Sequence, residues 1–308
     1  LKGVVDELIA QGIAEESDGA QVVFFNDHKS LKKHPAIVRK SDGAANYTTT
    51  DLATLEHRQD SWQPSEVIYV TDGRQQLHFQ QLFELYNRWK PGHGMKLKHV
   101  WFGAILGEDG KPFKTRSGEI VRLSGLLDEA EQRAFDAVSE KNPDLPEEER
   151  HNIARVVGIG AIKYADLSGN RQSDYEFSWD NMLALVGNTA PYLLYAVTRI
   201  RSIFRKLGDE SLTQPGSFAL DQTEELTLAK HLLRFGLVLE QVIDECRPNY
   251  LCNYIYELAG CFASFYENCP VLQAEGDIRA QRLALCNLTG QVLKTGLETL
   301  GLETTERM

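Results

Sequence analysis

The sequence predicts an α/β unit followed by an all-α unit, and three observations lead there. Residues 1–135 alternate short β-rich runs with stretches of helical spacing. From residue 142 onward the apolar spacing is helical, with no convincing strand. The chain has 308 residues, more than one ordinary domain of roughly 100–200 residues. The expected division is residues 1–138 against residues 139–308, with 187–308 as the core of a helical bundle.

In chain order, Leu1, Val4, Val5, Leu8 and Ile9 recur at helical spacing. Residues 22–25, 36–39 and 67–70 are strand-like runs bounded by Asp, Gly or Pro. This alternation is the βαβ pattern of a parallel sheet with crossover helices, in which ligands gather beyond the carboxyl ends of the strands. The residues just after each run are therefore the candidates for chemistry. Asn142-Pro143-Asp144-Leu145-Pro146, followed by Glu147, Glu148 and Glu149, reads as a turn and a helix start, with acids where the helix dipole favours them. Helical patterns then cover residues 146–167, 179–207, 222–245, 250–268 and 276–299, with a loop expected at 208–216.

Composition bounds the function classes. Hydrophobic residues are 42% and charged residues 25%, without low-complexity tracts, which excludes a disordered or fibrous chain. No apolar run approaches the roughly 18–20 residues of a membrane span. Thirty-three Lys and Arg against 44 Asp and Glu give a net charge of −11, so any nucleic-acid contact must come from a local cation cluster. The five cysteines, at 246, 252, 261, 269 and 286, are odd in number and show no C-x-x-C spacing. Reduced, buried thiols in a cytosol-like compartment are expected, with no metal site. The chain starts at Leu1 without a signal-peptide pattern, and a fragment is expected.

Three segments could carry chemistry. The stretch Gly107-Glu108-Asp109-Gly110-Lys111-Pro112-Phe113-Lys114-Thr115-Arg116-Ser117-Gly118 sets three cations and two hydroxyls between glycines, which suits a polyphosphate. It lacks the Walker A spacing, and a solvated basic turn is the competing reading. In the second segment Asp51 follows Thr48, Thr49 and Thr50 at an apparent helix start, where an N-terminal cap is the simpler role. In the third, Asp72, Gln75 and His78 follow the run at 67–70, and each could equally be a cap or a satisfied surface group.

Together these segments resemble arginyl-tRNA synthetase, a class I aminoacyl-tRNA synthetase, over nearly the whole chain. The matching strings include Lys40-Ser41-Asp42-Gly43, residues 47–51, residues 69–79, Phe113-Lys114-Thr115-Arg116-Ser117-Gly118, Lys163-Tyr164-Ala165-Asp166-Leu167-Ser168, Gly187-Asn188-Thr189-Ala190-Pro191-Tyr192, Leu251-Cys252-Asn253-Tyr254, residues 265–271 and Glu306-Arg307-Met308. The resemblance implies a partial Rossmann-like parallel sheet, the end of the catalytic domain, followed by an anticodon-binding bundle. It implies that Tyr47, Asp51 and Gln75 hold the guanidinium of L-arginine. A carboxylate offers a bidentate match to that planar fork, which lysine's point charge cannot reproduce. It further implies that the 107–118 loop is the family's phosphate-closing signature, with Arg116 where that signature has its second lysine. Lys111, Lys114 and Arg116 are therefore named jointly as catalytic cations, with Thr115, Ser117, Asp72 and His78 beside the nucleotide.

For the helical half, Leu193, Ala196, Ile200, Ile203, Phe204 and Leu207 form an apolar stripe, while Tyr192, Tyr195, Arg199 and Lys206 lie on another face. Those tyrosines could simply cover neighbouring helices. The resemblance instead makes Tyr192, Tyr195, Arg199 and Met308 contacts to tRNA, with rings for unstacked bases and cations for phosphates. Arg199, Arg201, Arg205 and Lys206 are the expected cation cluster. The implied activity is arginine–tRNA ligase, with ATP and Mg2+, L-arginine and tRNA(Arg) as partners, no DNA or membrane, in a cytoplasmic monomer. No His-x-Gly-His signature occurs in the chain. The expectation is thus the carboxyl-terminal half of the enzyme, inactive alone. A non-catalytic tRNA-binding module and a class I synthetase for another amino acid are the alternatives.

Overall fold

The computed structural model describes residues 1–107, 110–111, 122–208 and 219–308. The chain divides into two compact units, Leu1–Gly103 and Ala104–Met308. Residue 138, the expected functional boundary, lies within a helix of the second unit.

The first unit opens with α1 (Lys2–Ala10), which buries Val4, Val5 and Leu8. Three short strands follow, β1 (Glu15–Ser17), β2 (Ala20–Val23) and β3 (Ala36–Arg39), in one antiparallel sheet. The expectation that the runs at 22–25 and 36–39 belong to a parallel sheet is thus corrected. Asp18 and Gly19, with φ of 51° and 78°, join β1 to β2 in a two-residue turn that permits only antiparallel neighbours, and β3 pairs antiparallel with β2 in turn. Next come α2 (Tyr47–Trp62), β4 (Glu66–Asp72), a 3-10 turn (Gly73–Gln75), α3 (Gln76–Trp89) and β5 (Lys96–Phe102). Here the βαβ expectation holds: β4 and β5 pair in parallel, from Glu66 opposite Lys96 to Asp72 opposite Phe102, and α3 makes the crossover. Leu52 and Leu55 of α2 and Leu82, Leu85, Tyr86 and Trp89 of α3 fill the core beneath, which fixes both helices relative to the strand ends.

The second unit is mainly helical: β6 (Ile105–Leu106), α4 (Leu123–Lys141), α5 (Glu147–Ser168), β7 (Tyr175–Glu176), α6 (Trp179–Met182), α7 (Ala190–Leu207), α8 (Thr223–Leu232), α9 (Phe235–Glu245), α10 (Asn249–Asn268) and α11 (Gly276–Thr299). The expectation of no strand after residue 142 fails at β7, which pairs in parallel with β6 and is too short to leave a periodic signal. The single helix expected over 179–207 is broken between Met182 and Ala190, where Gly187 takes a φ of 80° and Thr189 caps the new helix α7. That over 222–245 is split after Leu232. Most of the loop expected at 208–216 lies outside the described residues. Tyr164, Leu193, Leu194, Ile255, Phe262 and Leu293 anchor the apolar core. All five cysteines are free, and burial pushes the Cys252 and Cys286 thiols up to about 12. Among the described residues no helix is long and apolar enough to cross a membrane.

Candidate functional site

In the first unit the candidate residues collect where α2 and α3 begin, at the carboxyl end of β4. Asn46 starts α2: its Oδ1 accepts from the Tyr47 amide at 2.7 Å, while its Nδ2 donates to the Ile37 carbonyl at 3.0 Å. Thr49 donates to the Val38 carbonyl, tying the same turn to β3. The cap considered for Asp51 therefore belongs to Asn46. Asp51 sits one turn into α2, and the four-residue spacing places it on the face that carries Tyr47.

Asp51 Oδ2 lies 2.7 Å from Nε2 of His78, with the side chains 35% and 26% exposed. A carboxylate only accepts, so Nε2 of His78 is the donor. Tyr47 is 83% exposed and Gln75 is exposed at the entry to α3. Asp72 takes a different role. Its Oδ1 accepts from the Arg74 amide at 2.8 Å and from Nε at 2.9 Å, and its Oδ2 accepts from the second guanidinium nitrogen at 2.9 Å. The Arg74 guanidinium holds the Asp72 carboxyl below its ordinary value. Gly73 permits the tight exit from β4, since a Cβ there would meet the Trp101 ring at 3.1 Å.

Three neighbours escaped the sequence reading. His99 Nε2 lies 2.8 Å from Thr71 Oγ1, and its ring sits 4.4 Å from that of Phe79. Tyr69 lies opposite His99 in the strand pairing, with the Arg58 guanidinium 5.3 Å from its ring centre. Burial pushes the Tyr69 phenol up, Arg58 opposes that, and the negative charge of Asp51 adds to it. The available signal was the strand register, which only the parallel pairing supplies.

In the second unit, Lys111 is exposed in a turn closed by the Gly107 amide donating to its carbonyl at 2.8 Å. Lys114, Thr115, Arg116 and Ser117 lie outside the described residues. On α7 the Tyr192 ring meets Tyr256 edge-on at 5.6 Å, Tyr195 is 47% exposed, and the Arg199 guanidinium lies 4.7 Å over the ring of Tyr266. Tyr195 and Met308 share the wall of a cavity of about 440 Å³ with Val138, Lys141, Leu185 and Pro191. A second cavity, of about 360 Å³, adds Arg199 and Arg307 to that pair.

The expected cation cluster is partly committed elsewhere. Arg201 donates to the Thr305 carbonyl and to Thr304 Oγ1 and pairs with Glu306 at 3.3 Å. Arg205 donates to the Glu306 carbonyl at 2.8 Å. Arg155 grips Glu303 through two bonds of 3.0 and 2.6 Å, and Lys163 donates to the Gly301 carbonyl. These cations hold the segment 301–308 along α7 and α5, which places Met308 at the cavity. Arg199 and Lys206 remain exposed.

Two families match along the chain, and the first extends past the boundary between the compact units. Residues 1–179 match the family described as tRNA synthetases class I (R), catalytic domain, and residues 193–308 match the DALR anticodon binding domain. An arginine–tRNA ligase of Proteus mirabilis is 50% identical over 316 residues, covering all of this chain and 54% of that protein. The chain thus spans about half the length of the curated relatives it matches. The arginyl-tRNA synthetase from Plasmodium falciparum superposes with a TM-score of 0.86 at 31% identity, over 100% of this chain and 52% of its own. That of Thermus thermophilus gives 0.85 at 26%, over 99% and 58%. With a family match over more than half of its residues and a fold shared along its length, the chain belongs to the arginyl-tRNA synthetase family of class I.

Proposed function

We propose that the protein acts in arginine–tRNA ligation. In that reaction the carboxylate of L-arginine attacks the α-phosphate of ATP, pyrophosphate leaves, and the arginyl group passes to the terminal ribose of tRNA(Arg). The observation that carries this reading is the partly exposed Asp51 carboxylate, held on α2 one helical turn from Tyr47 and bonded to His78 of α3. A carboxylate there matches a guanidinium, and leaving it unpaired penalises an apolar amino acid. Tyr47, Asp51 and Gln75 are assigned to arginine. Lys111, Lys114 and Arg116, with Thr115 and Ser117, are assigned to the phosphates of the Mg2+-bound ATP, where cations offset charge moving onto the leaving group. Tyr192, Tyr195, Arg199 and Met308 are assigned to tRNA. A cytoplasmic monomer that binds no DNA completes the proposal, with residues 1–138 serving the chemistry and 139–308 the RNA.

The test is ATP–pyrophosphate exchange with arginine and tRNA, measured on the protein as its gene encodes it. Asp51→Asn should remove arginine dependence while the melting temperature stays within a few degrees. Unchanged arginine kinetics would exclude Asp51 as the counterion. The exposed Tyr195, beside both cavities, and Arg199, beside the second, favour a second reading, in which the chain binds tRNA without performing chemistry. Salt-dependent tRNA binding, weakened by Tyr195→Ala or Arg199→Ala, together with no exchange at all, would select that reading.

A further inference from the structure

We propose that His78 is a positioning residue that sets the rotation of the Asp51 carboxylate and thereby selects a guanidinium over other cationic side chains. This inference rests on the assignment of Asp51 to arginine. Three features carry it. The Nε2–Oδ2 separation of 2.7 Å is that of a charge-assisted hydrogen bond, and it spans 27 residues of sequence, joining α2 to α3. The imidazole is itself held, with the Phe79 ring edge-on to it at 5.2 Å. Both helices are fixed from below by the leucines of one core, so the pair is built by the fold and is not a chance surface encounter.

The consequence is geometric. A carboxylate on a free side chain turns about its terminal torsion, and a guanidinium must then wait for the right plane. With Oδ2 pinned by His78 the plane is set beforehand, and Oδ1 makes no hydrogen bond to any described residue. Arginine presents two parallel N–H groups and gains from that fixed plane. Lysine presents a point charge that any rotation satisfies, and gains little. The same bond occupies the ring nitrogen farthest from the backbone, which is the one His78 would otherwise extend towards a nucleotide.

Exchange kinetics on the gene-encoded protein separate the possibilities. His78→Ala should raise the KM for arginine by roughly tenfold or more and leave the KM for ATP within about twofold. His78→Gln, whose amide N–H reaches the place of Nε2, should recover most of the loss, whereas His78→Asn, which matches the nearer nitrogen, should not. An arginine KM unmoved by His78→Ala overturns the inference, as does a rise in the ATP KM alone. Equal damage from Gln and Asn overturns it too, since that marks a merely structural histidine. If His78→Ala does not melt cooperatively, the Gln and Asn pair carries the test. Absence of arginine-dependent exchange in the unsubstituted protein would be a different failure, that of the ligase reading itself.

Discussion

Gly158, in the middle of α5, should not tolerate even one added carbon. A Cβ built there would lie 2.6 Å from the Ala130 carbonyl oxygen, 2.7 Å from its carbon and 2.8 Å from the Glu131 nitrogen. All three are backbone atoms of α4, so no rotamer change relieves the contact and the two helices must separate. Overpacking of this kind costs about 1–3 kcal/mol or more, against a gain of about 1 kcal/mol for replacing glycine by alanine within a helix. Gly260, inside α10, meets nothing within 4 Å of the same added atom and isolates the favourable part. Because all the close atoms are backbone, the cost falls at the upper end, and Gly158→Ala should lower the unfolding free energy by about 2 kcal/mol, while Gly260→Ala raises it by about 0.5–1 kcal/mol. Urea denaturation followed by far-ultraviolet circular dichroism reads both variants. A Gly158→Ala protein as stable as its parent would show that α4 and α5 are not packed backbone to backbone at this point.

Two further predictions concern charge. Glu225 is almost fully buried, with Oε1 2.6 Å from Arg282 Nε and Oε2 accepting from the Gln222 amide, so Glu225→Ala leaves the largely buried Arg282 charge without its counterion, with only the Pro270 carbonyl as partner among the described residues, and opens the cap of α8. A loss of about 3–5 kcal/mol is expected, and a loss under about 1 kcal/mol in the same urea assay would contradict it. The carboxyls of Glu7, Asp72 and Glu303 are held below their ordinary values, first by hydrogen bonds from Lys90, Arg74 and Arg155 respectively. Their contribution is complete above the ordinary carboxyl range and is lost as the pH falls through the lowered native values. Burial raises Asp166, so its contribution has the opposite sign, present at low pH and lost as the pH rises through the raised native value. Melting temperatures should fall on acidification below about pH 4, and less steeply in Arg155→Gln, where one of these pairings is gone. An identical slope in both proteins would refute the assignment to Glu303.

Most helices were legible because a helix records its buried face every three or four residues, as Leu193, Ile200 and Leu207 do on α7. Strings such as residues 47–51 and 69–79 carried the family and the candidate arginine site. Their local order also made Asp51 a plausible cap, and nothing within them assigned that role to Asn46. The bond of His78 to Asp51, the meeting of Thr71 with His99 and the grip of Arg201 and Arg205 on residues 304–306 left no trace in the sequence. Backbone geometry and the placing of apolar side chains are local or periodic, and a sequence displays them directly. The pairing of polar groups 27, 28 or 104 residues apart depends on where the packed core delivers each element, and that was decided only when the chain folded.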